Sequence, residues 1–405
     1  MKKLICLISV FCIATILYSQ KQRYFVYEPL DKAEVNYVKY KNEIYDKHYR
    51  ILDSLFRNTP KNKNLEFYYK NIYKAESYIM KNKLENAAKT YKLAFSFIDY
   101  PFATDLENAL YCELESRKDK DNIKKYIWFL INKGENKDKF LSKPEYQSLS
   151  LGEELKTMID TSKTSVNAEL IDIITAIHED DQAIRKQTGY GSIKRAEEMR
   201  LEMGKIDSIN YQKIMSLIEE YPTVSEEIYG TKGLNKMDII PWHNSDFIDI
   251  YIALYKSVVN GKLDARYFTR LLDNSDFLIN YSLKLGIWKN AISCLNEENF
   301  DIPSYFVTIN TPKENIVNKY RKLLYLEKYT EQQKKQIWYF RNPKAKVELC
   351  NNTGGINNNE TFFKTLKTKE TIFGKGNKIH YRSKADKKQL QKAMKEYYKN
   401  NPEKK

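Results

Sequence analysis

Residues 65–97 read LEFYYKNIYKAESYIMKNKLENAAKTYKLAFSF, and the fold class turns on them. Leu65 to Met80 and Leu84 to Phe97 read as two helices joined by Lys81-Asn82-Lys83. Across the pair, Ala75, Tyr78, Ala87, Tyr91 and Ala94 follow one another at spacings of 3, 9, 4 and 3. Small residues at such positions let two helices approach closely. The aromatic rings between them fill the hole against a neighbouring helix pair.

This small–large alternation resembles the signature of a tetratricopeptide repeat. Five of about eight usual positions match; Asn71 stands where a large residue is expected, and the terminal proline is displaced to Pro101. The resemblance implies stacked helix pairs around a continuous core, with a concave groove suited to a peptide or a partner helix. A second pair, Leu106 to Glu115 and Ile123 to Asn132, has the right length, with Ala109 and Cys112 as its close-packing positions. An ordinary helical hairpin is the alternative.

Outward from this pair the helical pattern continues. Tyr37, Tyr40, Ile44, His48, Ile51 and Leu55 make an amphipathic stripe that ends at Asn58, Thr59 and Pro60. Lys133 to Pro144 is charged and marks a boundary, and Phe140 to Leu149 resembles the closing segment that caps such stacks. Leu170, Ile173, Ile174 and Ile177 begin a stripe that runs through Ile184 and ends at Gly189-Tyr190-Gly191. Later stripes run through Ile209, Ile214, Leu217 and Ile218, then through Phe247, Ile250, Tyr251, Leu254 and Val258, then through Tyr267, Leu271 and Leu272. Asp207 or Ser208, and Asp264, read as helix starters. Helices are expected at 314–329 and 330–339, and short strands could form at 346–350 and 379–382. The expectation is an all-α chain: tetratricopeptide-like helical-repeat hairpins over 28–135, a linker and cap over 136–165, a second helical domain over 166–341, and a poorly structured basic extension over 342–405. With 13 Gly and 10 Pro in 405 residues, sandwiches and barrels lack the turn residues they need.

Lys2 and Lys3 precede an uncharged apolar run from Leu4 to Tyr18, and polarity begins at Gln20. That run is shorter than the roughly 20 residues of a membrane helix and suits a signal peptide over 1–19 cleaved after Ser19. An uncleaved anchor is the other reading. Export to the periplasm or beyond is therefore expected, with no transmembrane segment left after cleavage. Cys112, Cys294 and Cys350 then remain, too widely spaced for a disulfide framework or a zinc site. Of the net +15, the last 45 residues carry +10, from 14 Lys/Arg against 4 Asp/Glu. A solvated tail accounts for this; so does attraction to an anionic envelope surface. Nucleic acid is disfavoured as a partner by the export signal and the lack of any recognition motif.

Motifs for chemistry are mostly missing. No phosphate-cradling Gly loop, Gly-x-Ser-x-Gly elbow, His-Glu-x-x-His or Cys-x-x-Cys is present, so no cofactor is implied. Four histidines make a multi-histidine metal site hard to assemble, and no metal is assigned. One constellation stands out: Asp181, Gln182 and Arg185; then Trp242, His243 and Asp246; then Asp273; then Asn318 and Arg321. Residues 166–330 resemble on these positions a bacterial helical domain family of unknown function with an Asp-Gln-x-x-Arg, His-x-x-Asp and Leu-x-Asp pattern. Trp242 replaces a glutamine and Asn274 an arginine of that pattern. Asp181 and Arg185 are four apart and share a helix face, with His178 on the same side. In one reading Asp181, Gln182, Arg185, His243 and Asp273 form a buried network that fixes how helices cross. In the other they line a cleft where Arg185, Gln182, Asp246, Asp273 and Arg321 bind a ligand, and His243 acts as acid–base or metal ligand, oriented by Asp181. Two functions follow: an exported module that binds a protein or peptide partner, or a small-ligand-binding or hydrolytic site around Asp181, Arg185 and His243.

Overall fold

The computed structural model describes residues 47–142, 144–147, 152–186, 193–238, 240–241, 248–274, 305–308, 314–342, 346–347, 349 and 378–381. The chain divides into two compact units, Met1–Leu283 with Leu323–Tyr325, and Lys284–Lys322 with Leu326–Lys405. The described part of the first unit is helical throughout, which makes the architecture all-α.

Helix α1 covers 47–58 and buries Leu52 and Phe56. Helices α2 (Lys63–Met80) and α3 (Leu84–Ala94) form the hairpin read from the sequence. Asn62 starts α2 by accepting the Leu65 amide at 3.2 Å. Asn82, at φ 55, ends it: asparagine tolerates the left-handed region, and the Asn82 and Lys83 amides return to the Ile79 and Tyr78 carbonyls. Ala75, Ala87, Ala94 and Tyr91 are fully buried, whereas Tyr78 is only half-buried. Helix α4 (Ala103–Cys112) passes into a π-helical turn at Glu113–Arg117, and α5 (Lys120–Asn132) is capped by Asp119. The buried Glu113 carboxylate accepts from Asn122 at 2.9 Å and ties α4 to α5. Cys112 is buried as a free thiol; Cys294 and Cys350 lie outside the described residues.

The 136–165 segment carries three short helices, α6 (Lys137–Leu141), α7 (Pro144–Gln147) and α8 (Gly152–Thr161). Phe140 and Tyr146 meet edge to face at 5.8 Å, burying the apolar turn expected there. Helices α9 (Ala168–Lys186) and α10 (Ile193–Glu220) then pack together. Leu170, Ile174, Ile177, Asp181 and Ile184 of α9 are buried at alternating steps of four and three, the seam of a coiled-coil-like pair. Helix α10 starts at Ile193, so the expected start at Asp207 or Ser208 is corrected: both lie mid-helix, and the Asp207 carboxylate faces Arg185 instead of capping. Helices α11 (Glu226–Met237), α12 (Ile248–Val259) and α13 (Ala265–Asn274) follow in the same unit. Asp264 does cap α13, accepting the Arg266 amide at 2.8 Å.

In the second unit, β1 (Tyr305–Thr308) pairs antiparallel with β2 (Lys378–Tyr381), Tyr305 opposite Tyr381 and Thr308 opposite Lys378. The strand expected at 379–382 thus forms, inside the basic extension; the described residues of 346–350 are not strand. Helix α14 (Glu314–Leu323) stops earlier than the expected 329, because Tyr325 takes φ 60 before α15 (Tyr329–Arg341) begins. Among the described residues no helix is long and apolar enough to cross a membrane.

Candidate functional site

The constellation singled out in the sequence is partly assembled. Asp181 is fully buried on the α9 seam. Arg185, one turn on, donates from Nη1 to Asp181 Oδ1 at 2.8 Å and from Nη2 to Asp207 Oδ1 of α10 at 2.7 Å. Gln182 Nε2 reaches the second Asp181 oxygen at 2.8 Å. Asn210, buried on α10, donates weakly to the Ile177 carbonyl at 3.4 Å. The guanidinium is therefore engaged by two carboxylates and spans the α9–α10 seam, the geometry of a cross-helix tie. Trp242, His243 and Asp246 lie outside the described residues, as does the side chain of Asp273 on α13. Arg321 belongs to the second unit, where it is buried and donates to the Glu327 carbonyl at 2.6 Å, closing the turn between α14 and α15. Asn318 caps that turn by accepting the Tyr329 amide at 2.8 Å.

A tie of this kind has a measurable consequence. Arg185→Ala removes the cation from the fully buried Asp181 carboxylate, which costs about 2–4 kcal/mol. The expected result is a fall in melting temperature of roughly 5–15 °C for a unit of this size. A melt within a degree or two of the parent would return Arg185 to the role of a free ligand-binding group.

Sequence reasoning missed a larger buried cluster. Arg266 at the start of α13 reaches three acidic side chains from three parts of the chain. Its Nη1 and Nη2 donate side by side to Asp105 of α4, at 2.9 and 2.7 Å. Nη2 and Nε clasp Asp264, at 2.6 Å and 2.9–3.0 Å, and Nη1 lies 3.4 Å from Glu76 of α2. Tyr68 donates to Asp105 at 2.6 Å, and Tyr69 to Asp264 at 3.0 Å. Glu76 and Asp105 are fully buried. Burial pushes the Asp105 carboxyl up, only partly opposed by the adjacent guanidinium, and it raises both phenols so that they remain donors. One signal was available: Glu76 sits four residues after Ile72 and three before Ile79, a charge within an apolar stripe. Its partner Arg266, 190 positions away along the chain, was not legible.

A second buried tie joins Lys133 Nζ to Glu226 at 3.1 Å, and the same carboxylate accepts the Ala103 amide at 2.8 Å. At the end of α11, Asp238 pairs with Arg270 of α13. Burial, stronger than the pull of Arg270, pushes the Asp238 carboxyl from its ordinary 3.8 up to about 6. The folded protein holds this proton more tightly than the unfolded chain does. Its contribution is therefore fully present below pH 4 and is lost as pH rises to about 6, by at most about 3 kcal/mol. Urea unfolding of the parent and Asp238→Asn at several pH values should show the balance moving toward the variant between pH 4 and 7. A pH-independent difference would contradict the raised carboxyl.

Two surfaces remain open. On the α2–α5 hairpins, Phe67 (47% exposed) stacks on Phe97 at 5.4 Å beside Leu93 (51%). Trp128 (40%) meets Phe129 at 5.1 Å, and Phe129 meets Tyr100. Separately, a groove of about 700 Å³ runs between α10 and α12, floored by Met215, Ile218, Pro222, Ile252 and Ala253. Among the described residues no group of three or more His, Cys, Asp or Glu could hold a metal ion. Compared with family models, curated proteins and solved structures, this chain matches none.

Proposed function

We propose that this chain is an exported helical-repeat protein, periplasmic or secreted, whose N-terminal hairpins bind a protein or peptide partner. The observation that carries the reading is the exposed aromatic surface on those hairpins. Phe67, Leu93 and Trp128 are large apolar side chains held in water on rigid helices, with the half-buried Phe97 stacked on Phe67 just past the end of α3, and such patches are where proteins meet partners. The tetratricopeptide-like packing supports it: Ala75, Ala87, Ala94 and Tyr91 form the buried small–large seam that stacks helix pairs and leaves their outer faces for recognition. The occupied guanidinium of Arg185 weighs against the ligand-binding or hydrolytic alternative. The basic segment 361–405 adds attraction to an anionic envelope surface, and such binding should weaken as salt rises.

The test places a photo-reactive phenylalanine analogue at position 67, 93 or 128 of the protein produced in its own cells. The expected result is a covalent adduct of discrete mass, formed on a chain whose first residue is Gln20, and lost when Phe97→Ser is introduced beside the probe at 67. A chain retained in the cytosol with residues 1–19 attached, or one that forms no adduct from any of the three positions, overturns the proposal.

A further inference from the structure

We infer that the outer face of α10 is a self-association surface whose occupant is a second, antiparallel copy of α10. The face opposite the α9 seam should be polar on an ordinary surface helix. Instead Leu201 is 71% and Ile209 50% exposed. Both lead along the helix into the groove between α10 and α12, where Met215 and Ile218 meet Ile252 and Ala253 of α12. Helix α12 contributes to this because it is apolar nearly all round: Ile250, Tyr251 and Leu254 are buried on one side while Ile252 lines the groove on the other.

The occupant is set by the pattern of the face itself. Counting outward from Gln212, Ile209 and Met215 stand three residues either side, Ser208 and Ser216 four, and Lys205 and Glu219 seven. Steps of three, four and seven return to one helix face. A two-fold axis through Gln212 therefore sets apolar against apolar, hydroxyl against hydroxyl, and Lys205 against the partner's Glu219 twice over. Leu201 of each copy then reaches the groove end at Pro222 of the other. Lys205, Ser208, Gln212, Ser216 and Glu219 are all exposed, so nothing in the described structure covers this row. A face that complements its own reverse is what an isologous dimer requires. This surface is separate from the hairpin face of the proposed function, and neither reading depends on the other.

Sedimentation velocity of the full chain over two decades of concentration should show a monomer–dimer equilibrium. Ile209→Asp should shift it to monomer. Lys205→Glu and Glu219→Lys should each weaken the dimer by about tenfold, since each places like charges together at both symmetry-related contacts. The double variant Lys205→Glu with Glu219→Lys should restore association to within about threefold of the parent. All three side chains are exposed, and unchanged circular dichroism would confirm that each variant folds. A monomer at every concentration, a dimer indifferent to Ile209→Asp, or a double charge swap no tighter than its single parents would each overturn the inference. Rescue by the double swap also separates antiparallel pairing on this face from dimerisation elsewhere.

Discussion

Arg266→Met is expected to leave little folded protein at neutral pH. The arginine reaches Asp105, Asp264 and Glu76 together, and two of these carboxylates are fully buried. Breaking one buried ion pair by removing a single partner costs about 3–5 kcal/mol, because the remaining charge keeps its desolvation penalty and loses its compensation. Here three carboxylates lose their cation together, while a whole domain is stable by about 5–15 kcal/mol. Lysine is not a substitute, since a single ammonium cannot reproduce the two side-by-side contacts to Asp105 together with the clasp on Asp264. Two further results identify the cause. Because burial already raises the Asp105 carboxyl, mild acid should partly restore folding of Arg266→Met as the stranded groups take up protons, the reverse of ordinary acid unfolding. Asp105→Asn, destabilising in the parent, should be neutral or stabilising beside Arg266→Met, a coupling of at least about 2 kcal/mol in urea unfolding. Additive losses would mean that Arg266 acts through its packing alone.

The same cluster explains why the first unit is continuous. Glu76 and Tyr68 come from α2, Asp105 from α4, and Asp264 and Arg266 from the entry to α13. One guanidinium thus links residues read from the sequence as belonging to a repeat module and to a later helical domain. Most of the helices were legible in apolar spacings of three and four, though not α8, which falls in the segment read as linker and cap, nor α11; the Asp264 cap was legible too, a local feature of side chain and neighbouring amides. What stayed hidden is long-range. Asp181 and Arg185 could be paired from their spacing, but not Asp207, which the sequence offered as a helix starter. The α14–α15 break was equally hidden, because Tyr325 is held in the left-handed region by contacts distant in sequence: its hydroxyl accepts the Asn62 amide at 2.9 Å and its ring stacks on Tyr69. Ile209 shows the opposite error. It reads as part of a buried stripe, yet half of it faces water, on the outer face of α10.

Gly230→Ala is expected to be the second most damaging single change, although it adds one methyl group in a helical segment. In sequence Gly230 is an unremarked residue between Tyr229 and Thr231; its backbone, at φ 64 and ψ 164, lies in a region essentially restricted to glycine and puts a kink inside α11. Three segments converge there. The Thr231 amide donates to the Lys133 carbonyl at the end of α5, and the Asn167 amide, at the entry to α9, donates to the Ile228 carbonyl. A β-carbon at 230 would lie 3.2 Å from both methyl groups of Val166 and 3.3 Å from the Lys133 carbonyl oxygen. That oxygen is held by its own hydrogen bond, and the same residue's ammonium is held by Glu226, so it cannot yield without loosening both. Backbone strain of about 1–3 kcal/mol and a crowding cost of about 1–3 kcal/mol therefore add to roughly 2–6 kcal/mol. Gly233, one turn later, provides the control. Its added carbon would meet Ile171 at an ordinary 3.5 Å in regular helix, so Gly233→Ala should be neutral or stabilising by up to about 1 kcal/mol. The urea midpoint of Gly230→Ala should fall well below the parent's while that of Gly233→Ala stays level or rises. If they move together, the junction of α5, α9 and α11 does not depend on the left-handed backbone at Gly230.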